Sequence, residues 1–328
     1  MMNYLVESNS YNPWKNLAIE KHLADNVRPG DLLLYLWQND NTVVIGRNQN
    51  AIRECNTQLL EEEGGYLARR TTGGGAVYHD LGNLCFTFVA SPERYDLERQ
   101  MRVIQRACRK FGIETECSGR NDIITKEGYK FSGNAFSVTA KCKIQHGTLM
   151  IDVDKEKLGR YLTPSKEKMQ AKGVQSVKSR VCNLRDLNVV VTVEMMKTAL
   201  CEAFEEEYGA YQVLEIDSDN AEIQTTYEMY ASWDWRYGKS PECEVIHSKR
   251  FAWGEVQVHL KLKNLYVEEC KVYSDALDTD FPQELEKVLK NQRFDLQNVE
   301  SNDKKISEVL TWLAQQYKEA KSDEKIRD

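Results

Sequence analysis

The segment RRTTGGGAVYHDLGNLCFTFVA, from Arg69 to Ala90, says more about the fold than any other part of the sequence. Its glycine run, Gly73-Gly74-Gly75, is unsuited to the interior of a helix or strand, because glycine loses the most conformational freedom on folding. Such a run leaves consecutive N–H groups free to surround an anion, and Arg69 and Arg70 could add bidentate contacts to phosphate oxygens. A tight hairpin with glycines for steric reasons is the alternative. The polar Tyr78-His79-Asp80 that follows favours a binding site.

The glycine run matches neither common nucleotide motif. A P-loop needs GxxxxGK[ST], and GVQSVKS at 173–179 comes nearest but lacks the second glycine. NLCFTFVA at 83–90 is a predicted strand, whereas a dinucleotide motif needs a helix at this point. A phosphate-binding loop on a β-hairpin suggests, by analogy, an adenylate-forming site of the class II synthetase type. Helix and strand signals alternate in the first half of the chain, so we predict an α/β (α+β) fold.

Hydrophobic periodicity and turn residues predict the other elements. Two strands, 32–38 and 42–47, lie around the turn Asn39-Asp40-Asn41. The remaining predicted elements are helices at 14–27, 56–63, 95–111, 281–290 and 303–319, further strand signals within 113–124 and 129–152, and strands at 245–252, 255–263 and 266–273. Because Gly238-Lys239-Ser240-Pro241 is rich in turn residues, we place a domain boundary there, with a first domain at 1–241 and a smaller α+β domain at 242–328.

The second informative segment is SGRNDIITKEGYKFSGNAF, Ser118 to Phe136, with QHGTLMIDVD at 145–154. Lys130 lies in a predicted strand between two aromatic residues and is either an edge residue that reaches solvent or a point charge that bridges a carboxylate and an α-phosphate. Asp122 either binds a divalent cation beside phosphates or caps a turn. His146 is either a structural, hydrogen-bonded residue or part of a site.

The third segment, residues 165–185, carries six basic residues against one acidic residue, Glu167. It is a solvated surface or, since KGVQSVKSR at 172–180 resembles a loop, a segment that closes over a bound anion. Lys178 and Arg180 are the candidate anion contacts.

Composition restricts the class of protein. The chain has 328 residues and a formal net charge of −7, so it is a poor general binder of nucleic acid or anionic membranes. No apolar stretch is long enough to span a bilayer, and MMNYLVESNS does not resemble a secretion signal. Nine cysteines without zinc-site spacing indicate reduced thiols. We therefore expect a cytoplasmic protein, and we expect a monomer.

Taken together, these segments resemble the lipoate–protein ligase family. The resemblance is carried by RRTTGGGAVYHDLGN (69–83), GRND (119–122) with KFSGNA (130–135), QHGTLM (145–150), KGVQSVKSRVCNL (172–184), and the later SWDWRYGKSP and FAWGEV. It extends from about Tyr11 to the end and so includes the accessory domain of the long bacterial form. Two departures from the family pattern are Thr72 before the glycines, where serine is usual, and Gln145, where a first histidine is usual.

The resemblance implies a fold, an activity and a site. The fold is a catalytic domain like those of class II aminoacyl-tRNA synthetases and biotin ligases, followed by a small C-terminal α+β domain. Lipoate and Mg²⁺-ATP would give lipoyl-AMP, and the lipoyl group would pass to a lysine of carrier domains, namely those of 2-oxoacid dehydrogenase E2 subunits and the glycine cleavage H protein. Lys130 would be catalytic, Lys130, Gly75 and His146 would contact lipoate, and Asp122 would hold Mg²⁺. The contacts to ATP or lipoyl-AMP would come from Arg70, Thr72, Gly73, Gly74, Gly75, Ala76, Val77, Tyr78, Asn83, Asp122, Lys130, Lys178 and Arg180.

Three other functions remain open. An octanoyl transferase on the same fold would work without ATP through a cysteine thioester, for which Cys117 and Cys142 are candidates. A non-catalytic carrier-binding protein would not need the glycine run and Lys130. A biotin ligase would carry an arginine–glycine repeat that is missing from this sequence.

Overall fold

The computed structural model describes residues 1–119, 121–163, 181–217, 220–237, 245–263, 266–294, 296 and 299–325. The chain divides into two compact units. The first comprises Met1–Gly46, Ala51–Thr72 and Ala76–Arg236, and the second comprises Arg47–Asn50, Gly73–Gly75 and Tyr237–Asp328. The predicted boundary at residue 241 lies outside the described residues and stays a prediction.

A large mixed sheet forms the centre of the first unit. Its strands are β1 (Met2–Glu7), β2 (Asp31–Trp37), β6 (Asn83–Ala90), β7 (Thr115–Ser118), β8 (Asp122–Thr125), β9 (Lys130–Val138), β10 (Lys143–Met150) and β11 (Gln212–Val213). Their order is β11-β1-β2-β6-β10-β9-β8-β7. β1 runs parallel to β2 and β11, and the other pairs are antiparallel. β6 is buried along its whole length, as its continuous apolar run predicts.

Helices cover both faces of this sheet. α4 (Leu97–Arg109) and α7 (Val193–Tyr208) share one core with alternate residues of β2 and β6, whereas α1 (Pro13–Asn26) and α8 (Ala221–Ala231) share another with the intervening residues. α1 begins where it does because Asn12 accepts hydrogen bonds from the N–H groups of Trp14 and Lys15, and because Pro13 occupies the first turn. The other helices of this unit are α2 (Ala51–Glu54), α3 (Thr57–Glu62), α5 (Lys155–Tyr161), α6 (Leu184–Leu187) and α9 (Trp233–Tyr237).

A second sheet in this unit corrects the hairpin predicted at the glycine run. β3 (Thr42–Ile45) lies between β4 (Tyr66–Arg69) and β5 (Val77–His79), parallel to the first and antiparallel to the second. The glycine run therefore does not join two paired strands, and β3 does not pair with β2 across Asn39-Asp40-Asn41. The prediction that the glycines lie on a β-hairpin is wrong, because local turn signals do not identify the sheet that receives the next strand.

The second unit is a three-stranded antiparallel sheet with two helices on it. β12 (Val245–Phe251), β13 (Gly254–Lys263) and β14 (Tyr266–Ser274) follow in order, and α10 (Phe281–Leu289) and α11 (Lys304–Lys325) complete the apolar core. Gly73 approaches the Ala276–Leu277 backbone so closely that a β-carbon would lie 2.2 Å from the Ala276 carbonyl oxygen. None of the helices in the described part of the chain combines the length and the hydrophobicity that a membrane span requires.

Candidate active site

Lys130 and Asp122 form an ion pair at the far edge of the large sheet. An irregularity in the pairing of β8 with β9 sets Asp122 opposite Gly133 and Ile124 opposite Lys130. Paired residues and residues two apart share a face of a sheet, so Lys130, Asp122 and Gly133 point the same way. Lys130 Nζ lies 2.6 Å from Asp122 Oδ1, and the two side chains are 38% and 32% exposed. The Lys130 carbonyl also accepts a hydrogen bond from the Cys182 N–H (2.9 Å), which fixes the base of the side chain.

A buried polar network lies on the same face of the sheet. Glu20 on α1 accepts hydrogen bonds from His146 Nδ1 (2.8 Å) and the Thr87 hydroxyl (2.7 Å). His146 Nε2 lies 2.8 Å from the Thr72 hydroxyl, to which Arg70 Nε donates (3.1 Å). His146 is opposite Ala135, two residues beyond Gly133 on β9, which places this network and Lys130 on one side of the sheet.

Burial and mutual attraction set the charges of this network. Burial acts to raise the pKa of Glu20, but His146, Thr87 and Arg70 outweigh burial, and the pKa lies below its ordinary value. Burial lowers the pKa of Arg70 to about 10, against the attraction of Glu20, so the guanidinium is still charged at neutral pH. The network therefore holds the Glu20 carboxylate and the Arg70 guanidinium, both charged, in fixed positions beneath this face.

His79 is a neutral imidazole beside this network. Its Nδ1 faces the Asn39 amide nitrogen (3.1 Å) and the Cys85 sulfur (3.5 Å). Burial, with Arg70 and His146 nearby, lowers the pKa of His79 to about 3. Since the Asn39 amide donates to Nδ1, Nε2 carries the proton, and it has no partner among the described residues.

The predicted ATP contacts belong to both units of the chain, and some of them lie outside the described residues. Arg70 and Thr72 join the buried network of the first unit, while Gly73, Gly74 and Gly75 belong to the second unit, where the Gly74 N–H donates to the Ala276 carbonyl (3.3 Å). Tyr78 and Asn83 have buried side chains that bind Asn41 and Cys85. Ala76 and Val77 are partly exposed, and Lys178 and Arg180 lie outside the described residues.

Comparison with known families decides the class of this chain. Residues 12–205 match the family described as lipoyl protein ligase A/B catalytic domain, and residues 240–326 match the bacterial lipoate protein ligase C-terminus. The chain belongs to the lipoate–protein ligase family. It is a lipoate–protein ligase enzyme with a class II synthetase-like fold and a small C-terminal domain, as the sequence predicted.

Solved structures of similar proteins cover most of the chain. P. falciparum LipL1, in complex with lipoate, is 30% identical with a TM-score of 0.82, and the alignment covers 95% of this chain and 99% of that one. A bi-partite lipoate protein ligase from Thermoplasma acidophilum, described with its E2 lipoyl domain, is 26% identical with a TM-score of 0.65 over 75% of this chain and 100% of that one. A lipoate-protein ligase A bound with ATP is 24% identical, TM-score 0.64, over 73% and 99%, and indicates the fold alone.

Gln145, which stands where the family usually has a histidine, points to the face of the sheet opposite the one that carries Lys130 and His146. Gln145 precedes His146 on β10, and neighbours on a strand point to opposite faces. Its amide nitrogen donates to Asn134 Oδ1 (3.0 Å) and Met101 Sδ (3.0 Å), inside the core shared with α4. In this ligase, Gln145 is therefore a core residue and does not lie on the face that carries Lys130 and His146.

Sequence analysis missed Glu20, Thr87 and Asn39. Glu20 had a detectable signal, because it is a single acidic residue within the apolar face Leu17, Ala18, Ile19, Leu23 and Ala24 of α1. A carboxylate in such a face needs a buried partner. Thr87 and Asn39 had no comparable signal, since their role depends on which strands pair.

Proposed function

We propose that this enzyme activates lipoate with ATP and transfers the lipoyl group to a lysine of a carrier domain. The observation that carries the proposal is the partly exposed Lys130 ammonium beside Asp122, on the sheet face that also holds Arg70, Thr72 and His146. The 30% identity to LipL1, solved with lipoate, supports lipoate as the acid that is activated.

Activation brings two anions together. A lipoate carboxylate oxygen attacks the α-phosphorus of ATP, the bond to the β-phosphate oxygen breaks, and pyrophosphate leaves. Lys130 would lie between the carboxylate and the α-phosphate, where a point charge offsets the negative charge that builds up in the transition state. Among the predicted ATP contacts, Tyr78 and Asn83 would contribute only backbone groups, because their side chains are engaged in the interior. Gly73, Gly74, Gly75, Lys178 and Arg180 are the other contacts that the sequence predicts, and the Gly74 N–H already donates to the Ala276 carbonyl.

Asp122 would hold Mg²⁺. Magnesium is commonly bound by one or two carboxylates together with substrate phosphates and water, so a single partly exposed carboxylate fits. The described residues contain no cluster of three or more His, Cys, Asp or Glu side chains placed to hold a metal. Bound there, Mg²⁺ would neutralise phosphate charge, and Lys130 would still supply the ammonium.

Transfer needs no enzyme nucleophile. The neutral amine of the carrier lysine attacks the carbonyl carbon of lipoyl-AMP, and an amide bond forms. The carbon–oxygen bond to the phosphate breaks, AMP leaves and the proton of the amine passes to solvent, while Lys130 would hold the carbonyl oxygen. The similarity to a T. acidophilum ligase described with its E2 lipoyl domain supports lipoyl domains as carriers. We propose the lipoyl domains of 2-oxoacid dehydrogenase complexes and the glycine cleavage H protein, served by a cytoplasmic monomer.

The thioester route is disfavoured by the cysteines. Burial raises the pKa of Cys142 to about 11 and also raises that of Cys117, whereas a nucleophilic cysteine needs a lowered pKa. Cys85 does face an imidazole, but burial raises its pKa well above the ordinary value. Replacing Cys117 or Cys142 by Ser should therefore leave ligation within a few-fold of wild type, and a loss of about three orders of magnitude would favour the thioester mechanism.

The deciding experiment is ATP–pyrophosphate exchange with lipoate, octanoate and biotin in parallel, each with and without Mg²⁺. Lipoate should support exchange that requires Mg²⁺, and biotin should not. Wild-type protein is compared with Lys130→Ala under the same conditions. Transfer from an octanoyl carrier protein without ATP, together with absent exchange, would overturn the proposal.

A further inference from the structure

Gly133 lies directly beneath the Lys130 ammonium. A β-carbon built on Gly133 would lie 3.2 Å from Lys130 Nζ and 3.4 Å from Lys130 Cε, and, apart from its two neighbours in the chain, no other atom of the described residues would lie within 4 Å. Both distances are at or below the tightest ordinary contacts of a β-carbon. The absence of a side chain at residue 133 therefore leaves the space that Lys130 occupies.

The backbone does not require glycine at this position. Gly133 is in the middle of β9 and is not among the glycines with positive φ, so any L-residue could adopt its conformation. Glycine inside a strand weakens the strand and often marks a close approach by another group. Here the group that approaches is the end of the Lys130 side chain.

Gly147 on the next strand is a useful contrast. A β-carbon there would lie 2.5 Å from Phe86 Cζ and 2.7 Å from Asn134 Oδ1, both in the interior. Gly147 therefore serves core packing. The neighbour of Gly133, by comparison, is the flexible, partly exposed end of a lysine, which can retreat at little cost in folding.

We infer that Gly133 is a positioning residue for Lys130. Because residue 133 has no β-carbon, the ammonium can lie against Asp122, in the position from which it acts. This inference rests on the proposed function of Lys130. With alanine at residue 133, Nζ must retreat by a few tenths of an ångström or adopt another rotamer. Catalysis by a preorganised charge is sensitive to displacements of this size, whereas the fold is not.

The test compares Gly133→Ala with Gly147→Ala by thermal unfolding and by lipoate-dependent pyrophosphate exchange. Gly133→Ala should keep the wild-type Tm within about 3 °C, while kcat falls about tenfold or more and KM for lipoate changes less than about threefold. Gly147→Ala should lower Tm clearly. A fall in Tm for Gly133→Ala as large as that for Gly147→Ala would overturn the inference, because the β-carbon would then meet the core.

A double-mutant cycle separates positioning from other effects. In a Lys130→Ala background, adding Gly133→Ala should change the residual exchange rate less than about twofold, because the group that it displaces is gone. A full tenfold loss in that background, or a wild-type rate for Gly133→Ala alone, would contradict the inference. Failure of the proposed function is distinguishable, since Lys130→Ala alone would then keep the wild-type rate.

Discussion

At the scale of single residues, the Lys130 ammonium is the group whose removal should affect chemistry most. Its only ion pair among the described residues is with Asp122, and it is 38% exposed, so Lys130→Ala should leave the fold intact. Loss of one preorganised donor costs on the order of 3 kcal/mol or more in the transition state, which corresponds to a fall of at least ~10² in pyrophosphate exchange. Lys130→Arg should restore the rate only in part, because a planar guanidinium cannot replace a point charge between two anions.

The second step gives an independent measurement of the same residue. Single-turnover transfer from supplied lipoyl-AMP should also slow in Lys130→Ala, since the ammonium would hold the carbonyl that the carrier lysine attacks. If both the exchange rate and the transfer rate equal those of wild type, Lys130 is a surface lysine and the site is assigned wrongly.

His79 should make the stability of the first unit depend on pH. Its pKa is lowered to about 3, chiefly by burial, from an unfolded value of about 6.5. Between these values the unfolded chain binds more protons, so the free energy of unfolding rises with pH. This contribution is complete above pH ~6.5 and is lost as the pH falls towards 3, by at most about 1.4 kcal/mol per pH unit.

Urea titrations from pH 7 to pH 4 compare wild type with His79→Gln, which stays neutral throughout. The free energy of unfolding should fall less steeply in the variant, because the contribution of His79 is absent from it. Glu20 and Asp80 titrate in both proteins, so their contributions are the same in the two titrations. Equal slopes for the two proteins would mean that His79 titrates alike in the folded and unfolded states.

At the scale of elements, the alternation of side chains along β10 separates a core residue from a site residue. Gln145 points into the core shared with α4, and His146 points to Glu20 and Thr72. Gln145→Ala should therefore lower stability by about 2 kcal/mol, through a cavity and the lost hydrogen bond to Asn134. Its exchange rate should stay within about threefold of wild type. A hundredfold slower exchange at unchanged Tm would instead give Gln145 a direct part in the reaction.

The sequence predicts most elements, because hydrophobic periodicity and turn residues are local. NLCFTFVA forms a strand with the predicted ends, and the predicted helix 281–290 is observed as Phe281–Leu289. Strand pairing was beyond sequence reasoning, since β3 lies between two strands that follow it in the chain. The irregularity in the pairing of β8 with β9, which places Asp122 on the same face as Lys130, also cannot be detected in the pattern of residues.

At the scale of the whole molecule, motif and topology contribute different parts of the site. The motifs predicted Arg70, Thr72, Lys130, Asp122 and His146 as site residues, because each lies in a short segment that also contains glycine. They could not identify Glu20, which reaches His146 over 126 positions of sequence. They also could not identify the membership of Gly73–Gly75 in the second unit, which depends on the close approach of Ala276 and Leu277.

Net charge leads to a prediction about the carrier. The chain has a net charge of −7, and the family resemblance implies acidic lipoyl domains, so association needs a local positive face. Residues 165–185 supply this positive face in sequence, although 164–180 lie outside the described residues.

Reversing the charge of Lys166 and Lys168 with glutamate should raise the apparent KM for the carrier and weaken its dependence on salt, because the attraction that steers the encounter is lost. Lysine-to-glutamate changes at two exposed residues, Lys287 on α10 and Lys290 at its C-terminal cap, alter the net charge equally and should leave the KM for the carrier near that of wild type. Pyrophosphate exchange should be unaffected in both pairs, since no carrier takes part in it. If the Lys166/Lys168 pair keeps wild-type carrier kinetics at low salt, these lysines belong to the solvated surface and the carrier docks elsewhere.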